Sequence, residues 1–220
     1  MFQGMDLPTI IARGIVLLIA FPIHEFAHAW VADYFGDTTP RMHGRLTLNP
    51  LAHLDVFGSL LLLVAGFGWA KPVPVNPTVL RQKSPAALMW VSLAGPLSNF
   101  LMAVFAVIPF RLHWVDIQGV SGTINGVLPS PANFLFEFVV INLILMVFNL
   151  IPLSPLDGEK VLVYLLPGEW EGVFDRIRPY GSMILLLMFI SEPVLHVDLF
   201  NALLETPMTF LLRLLIKGLV

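Results

Sequence analysis

The chain has 220 residues, of which 57% are hydrophobic and only 12% charged, and it contains no cysteine. Soluble domains carry roughly 25% charged residues, and disordered chains need low hydrophobicity, so this composition excludes both and points to a membrane protein. Twelve Lys+Arg against 15 Asp+Glu give a net charge of −3, which offers no basic surface for nucleic acid; the lack of cysteine removes disulfides, a thiol nucleophile and a Cys-ligated zinc site.

The first apolar stretch, residues 7–31, is broken only by Arg13, His24, Glu25 and His28. No basic segment precedes it and no small-x-small cleavage site follows, so it reads as a spanning helix and not a secretory signal. Residues 41–48 then alternate with period two, which suggests a strand. Residues 57–69 are apolar but reach only about 20 Å as a helix, short of the ~30 Å hydrocarbon core, so they read as re-entrant, interfacial or buried. Residues 70–77 are extended and broken by Pro72, Pro74 and Pro77, which suits an edge strand.

Residues 86–110 carry no charge and are long enough to span. Residues 133–151 form the next spanning stretch, with Glu137 near its start. Residues 180–200 form another, interrupted by Glu192-Pro193. The last, residues 201–219, is amphipathic and either spans or lies in the interface. The expectation is one membrane-embedded domain over residues 1–220. Its fold is an all-α polytopic bundle of about four to six transmembrane helices, with a re-entrant segment and a small β-like hairpin after the first helix.

The chemistry lies in the first helix. His24-Glu25-Phe26-Ala27-His28 matches H-E-x-x-H. Positions i and i+4 share one helix face, so both imidazoles can reach one zinc ion, and Glu25 beside them is placed to act as general base. Two histidines and a glutamate inside an apolar helix are costly unless paired or bound to something.

A catalytic zinc needs a third protein ligand and an open position. The stretch Asn149-Leu150-Ile151-Pro152-Leu153-Ser154-Pro155-Leu156-Asp157-Gly158 ends an apolar helix with two prolines. It sets Asp157 on broken backbone at the membrane edge, where Gly158 allows a turn. Asp157 is the best third ligand. His43, His53 and Asp55, in the loop after the first helix, are alternatives without motif support and read more simply as polar loop residues. A Glu as third ligand (Glu137, Glu159 or Glu192) also lacks a motif.

These residues, with Leu93-Ala94-Gly95-Pro96-Leu97-Ser98-Asn99, resemble the site-2 protease family of intramembrane zinc metalloproteases over residues 8–195. The resemblance is to the short members that consist of the membrane core, without PDZ or CBS modules. It implies one zinc per chain held by His24, His28 and Asp157, with Glu25 as the catalytic base. It implies a role for Asn149 in holding substrate or the oxyanion, and a similar role for Asn99. The implied activity is hydrolysis of peptide bonds within or next to transmembrane segments of a membrane protein substrate. An exposed strand, 41–48 or 70–76, could pair with the unwound substrate. The alternative is a non-proteolytic membrane zinc-binding protein or transporter, which should show ionisable groups along successive helices.

Topology can be tested against the metal. His28 and Asp157 can share an ion only if the first helix and the 133–151 helix end on the same side, which requires that 57–69 not cross. That side then carries Arg41, Arg45, Lys71, Arg81, Lys83, Lys160, Arg176 and Arg178, against Arg111 on the other. The positive-inside rule makes it cytoplasmic. The expected location is therefore a multi-pass protein of a prokaryotic inner membrane, surrounded by the lipid bilayer, with its site toward the cytoplasm. Oligomeric state is not legible.

Overall fold

A computed structural model describes residues 6–55, 70–196 and 198–216. Among the described residues, three helices are long and apolar enough to cross a membrane: α1 (Leu7–Tyr34), α5 (Ala87–Arg111) and α6 (Pro131–Asn149). Between α1 and α5 lie α2 (Thr39–Met42), α3 (Pro50–His53) and α4 (Pro77–Lys83). After α6 come α7 (Asp157–Leu165), α8 (Glu171–Ile177), α9 (Gly181–Leu195) and α10 (Leu199–Ile216).

Helix α1 starts where Asp6 accepts a hydrogen bond from the Thr9 amide. It ends at Gly36, whose φ of +88° suits a left-handed helix stop. One stripe of α1, spaced by four, is buried throughout: Pro8, Ala12, Val16, Ala20, His24, His28 and Ala32. Small residues on such a stripe let helix backbones approach closely, and the two histidines occupy the same seam.

The contacts fix the helix directions. His24 meets Asn99 and His28 meets Val91, so α5 runs antiparallel to α1. Arg13 meets Glu137 and Thr9 lies near Asn133, so α6 runs parallel to α1. The chain therefore leaves α1 and enters α5 at the same end of the bundle. Residues 57–69, expected to be re-entrant, lie outside the described residues. Their flanks meet: Leu54 and Ala70 form an isolated antiparallel bridge, and the Lys71 amide donates to the His53 carbonyl at 2.7 Å.

Residues 41–48 are not a strand. Pro40 fixes φ in the first turn of a short helix, the His43 amide bonds back to Thr39, and Gly44 at φ +66° reverses the chain. Period-two alternation over so few residues loses to this turn chemistry. Among the described residues the paired hairpin lies elsewhere, between α5 and α6: β1 (Thr123–Ile124) pairs antiparallel with β2 (Leu128–Pro129).

Ala103, Ala106 and Val107 of α5 pack on Val139 and Leu143 of α6, and Met208, Leu211, Leu212 and Leu215 of α10 cover them. Helix α10 is about 27 Å long, and the Arg111 guanidinium donates to the Leu215 carbonyl at 2.7 Å. The last turn of α10 thus lies level with the end of α5. Helix α9 runs without interruption through Glu192-Pro193, where the sequence suggested a break.

Candidate metal centre

His24 and His28 face α5 and the start of α7. Their Nε2 atoms are 3.0 Å apart. Asp157, the first residue of α7, places Oδ2 3.3 Å from His24 Nε2 and 3.2 Å from His28 Nε2. Gly158 makes this placement possible, not by turning the chain but by its lack of a side chain. A Cβ there would run into the backbone oxygens of Leu150 and Ile151, so only glycine lets α7 lie on that loop.

The opposite ring nitrogens are held from behind. His28 Nδ1 lies 2.7 Å from the Val91 carbonyl, and His24 Nδ1 lies 2.6 Å from Asn99 Oδ1. Both partners accept, so both Nδ1 atoms carry the proton and both Nε2 atoms present lone pairs. Two bare nitrogens and a carboxylate oxygen then converge within 3.3 Å. Such a set needs positive charge among the three, from a metal ion or from protons. Nitrogen and oxygen donors of this kind suit zinc. Gly95 of α5 closes the near wall, where a Cβ would strike both imidazoles.

Glu25 is buried beside them, and its Oε2 accepts a hydrogen bond from the Val73 amide at 3.2 Å. The stretch that supplies Val73 is itself pinned by buried Asp37, which accepts from the Asn76 amide at 2.6 Å and from the Thr39 amide at 3.0 Å. With Lys71, Val73 and Asn76 so engaged, and Pro72 and Pro74 lacking an N–H, this stretch is a poorer template for strand addition than its extended sequence suggests.

No protein-family model and no solved structure matches the chain. Curated relatives do. The provisionally named zinc metalloprotease YwhC of Bacillus subtilis is 39% identical over 180 residues, covering 80% of this chain and 79% of YwhC. The provisionally named zinc metalloprotease Rip2 of Mycolicibacterium smegmatis is 32% identical over 182 residues, 79% of this chain and 64% of Rip2. Zinc metalloprotease MJ0392 of Methanocaldococcus jannaschii is 24% identical over 156 residues, 71% of this chain and 34% of MJ0392. The chain belongs to the site-2 protease family of zinc metalloproteases.

Among the described residues of this site-2 protease family member, His24, His28 and Asp157 form the group whose geometry could hold a metal. Zinc is the cofactor its relatives are named for. Four of the other candidate ligands have partners elsewhere. Glu137 binds Arg13 at 2.8 Å. Glu159 accepts from Arg178 Nε at 2.8 Å, and this bond pushes the Arg178 guanidinium above its ordinary pKa. His43 and His53 bond locally, to the carbonyls of Thr39 and Thr47.

Asn149 sits on the last turn of α6, where its Nδ2 donates to the Leu145 carbonyl. Asn99 is fully buried, and both its polar atoms are engaged by protein groups: Oδ1 by His24, and Nδ2 by Asn142 Oδ1 at 2.9 Å. Sequence reasoning missed Asn142, Gly95, Val73 and Asp37. Asn142 had a signal, as an amide in the middle of a long apolar run.

Proposed function

We propose that this chain is an intramembrane zinc metalloprotease that hydrolyses peptide bonds within or next to transmembrane segments of membrane protein substrates. The observation that carries this reading is the convergence of His24 Nε2, His28 Nε2 and Asp157 Oδ2 beside Glu25, with Val91 and Asn99 marking its depth. Those two residues lie about 6–18 Å along α5 from its first residue, so the peptide bond must be brought inside the bundle. Such a substrate unwinds locally, because a helix hides its amides in i→i−4 bonds.

His24, His28 and Asp157 would hold the zinc, which would supply Lewis-acid polarisation of the scissile carbonyl and a more acidic water. Glu25 takes the proton of the attacking water and delivers it to the leaving amine. Val73 holds one oxygen of Glu25 and so orients the base. Asn99 and Val91 hold the Nδ1 side of His24 and His28, which aims Nε2 of each ring at the metal position. Asn149, in the last turn of α6 just before the loop that carries Asp157, is our candidate for holding the substrate backbone.

The connections at the His28 and Asp157 end carry eight of the nine Lys/Arg residues weighed above, which supports a site open to the cytoplasm of a prokaryotic inner membrane. The test is Glu25→Gln, assayed on a model transmembrane substrate with zinc content measured in parallel. Cleavage should fall by about 10²–10⁴-fold with zinc retained. Cleavage near the wild-type rate rejects Glu25 as base. A zinc-loaded wild type that cleaves no transmembrane substrate favours the non-proteolytic alternative.

A further inference from the structure

We infer that Asn142 and Asn99 form a two-amide relay whose direction fixes the tautomer of His24 and so keeps its Nε2 open to the metal. The inference rests on the metal reading above and assigns to Asn142 a positioning role, since it touches neither a ligand atom nor a reacting group.

Asn99 and Asn142 are both fully buried, and both interrupt apolar helices, where an amide is expensive unless every polar atom is used. The relay starts at a group with one possible role. The Phe138 carbonyl can only accept, so Asn142 presents Nδ2 to it, at 2.8 Å. Asn142 must then turn Oδ1 toward Asn99, which meets it with Nδ2 at 2.9 Å. Asn99 is thereby forced to turn Oδ1 toward His24 Nδ1, at 2.6 Å. An oxygen there requires a proton on Nδ1 and leaves Nε2 bare.

Reversing either amide sets two donors or two acceptors face to face in a buried site, with at least one group unsatisfied. The direction therefore propagates from a backbone carbonyl of α6, through α5, to a ligand on α1. His28 needs no such device, because its Nδ1 meets the Val91 carbonyl directly. The two histidines of one motif thus have their tautomers set by different means, and only that of His24 depends on side chains.

The test uses the full chain in detergent and reads zinc affinity by competition with a chelator. Asn142→Leu frees the Asn99 amide to rotate and offer its NH₂ to His24, moving the ring proton to Nε2. Zinc affinity should fall about 10–100-fold, the range seen when partners of metal ligands are lost. Asn99→Asp combined with Asn142→Leu gives His24 a carboxylate, which accepts in either orientation. That double variant should recover most of the lost affinity.

A role for Asn142 as mere glue between α5 and α6 predicts no such recovery, so a double variant as weak as Asn142→Leu overturns the relay. Wild-type affinity in Asn142→Leu also overturns it. Should Asn142→Leu fail to fold, histidine ¹⁵N spectra of zinc-free wild type decide. The relay requires a proton on Nδ1 of His24, and an Nδ1 without a proton overturns it. If His24→Ala binds zinc as wild type does, it is the metal reading that fails, a result distinct from either of these.

Discussion

Two buried polar clusters occupy opposite halves of the same three-helix bundle, and they are built on opposite principles. Toward one end, Arg13 of α1 donates to Glu137 of α6 at 2.8 Å, a cation closed against an anion. Toward the other, His24, His28 and Asp157 bring two ring nitrogens and a carboxylate oxygen together within 3.3 Å. The first cluster is complete and needs nothing added. The second is complete only with a cation. In an apolar bundle both arrangements are costly to assemble, and the difference between self-satisfied and self-repelling separates a staple from a site.

The largest effect should follow from breaking the open cluster. Asp157→Ala removes its negative member and should weaken zinc at least tenfold and abolish cleavage, while Asp55→Ala keeps both. Zinc content and activity measured side by side check this, and the reverse pattern moves the third ligand to the loop after α1. Next comes the closed cluster. Glu137→Ala strands Arg13 and should cost about 3–5 kcal/mol of stability with zinc binding preserved; unfolding in detergent measures it. If zinc is lost as well, the two clusters are not independent.

Stripping zinc with a chelator should destabilise the wild type by about 2.7 kcal/mol at free zinc 100 times its Kd. It should have no such effect on Asp157→Ala, and thermal shift with and without chelator compares the two. The smallest effect is expected when both members of the closed pair are replaced by apolar residues. Arg13→Met with Glu137→Leu should lie near wild-type stability, because an apolar pair of similar volume replaces a buried ion pair at little net cost. A large loss there would give Arg13 or Glu137 work beyond the pair.

The open cluster was readable in the sequence because its chemistry is local or marked. His24 and His28 sit one turn apart, and Asp157 follows a helix broken by proline. The closed cluster was half readable: Arg13 and Glu137 each stood out in an apolar run, but nothing in spacing pairs residues 124 positions apart. Three of the expected spanning stretches, 7–31, 86–110 and 133–151, were placed to within a few residues of α1, α5 and α6, since length and hydropathy decide them. The hairpin was misplaced because alternation at 41–48 is a weak local signal, and Pro40, Gly44 and Asp37 act through backbone bonds that periodicity does not register. Gly95 and Gly158 were legible as glycines but not as contacts; only the fold reveals the imidazoles and carbonyls a Cβ would strike.

The Arg111 bond to the last turn of α10 has a practical side. It holds the end of α10 beside the end of α5, about 18 Å along the helix from Asn99. On the membrane reading proposed above, a reporter fused at the C-terminus should report the compartment opposite the one that the metal centre faces, and labelling of that reporter from the same side as the metal centre would contradict that reading.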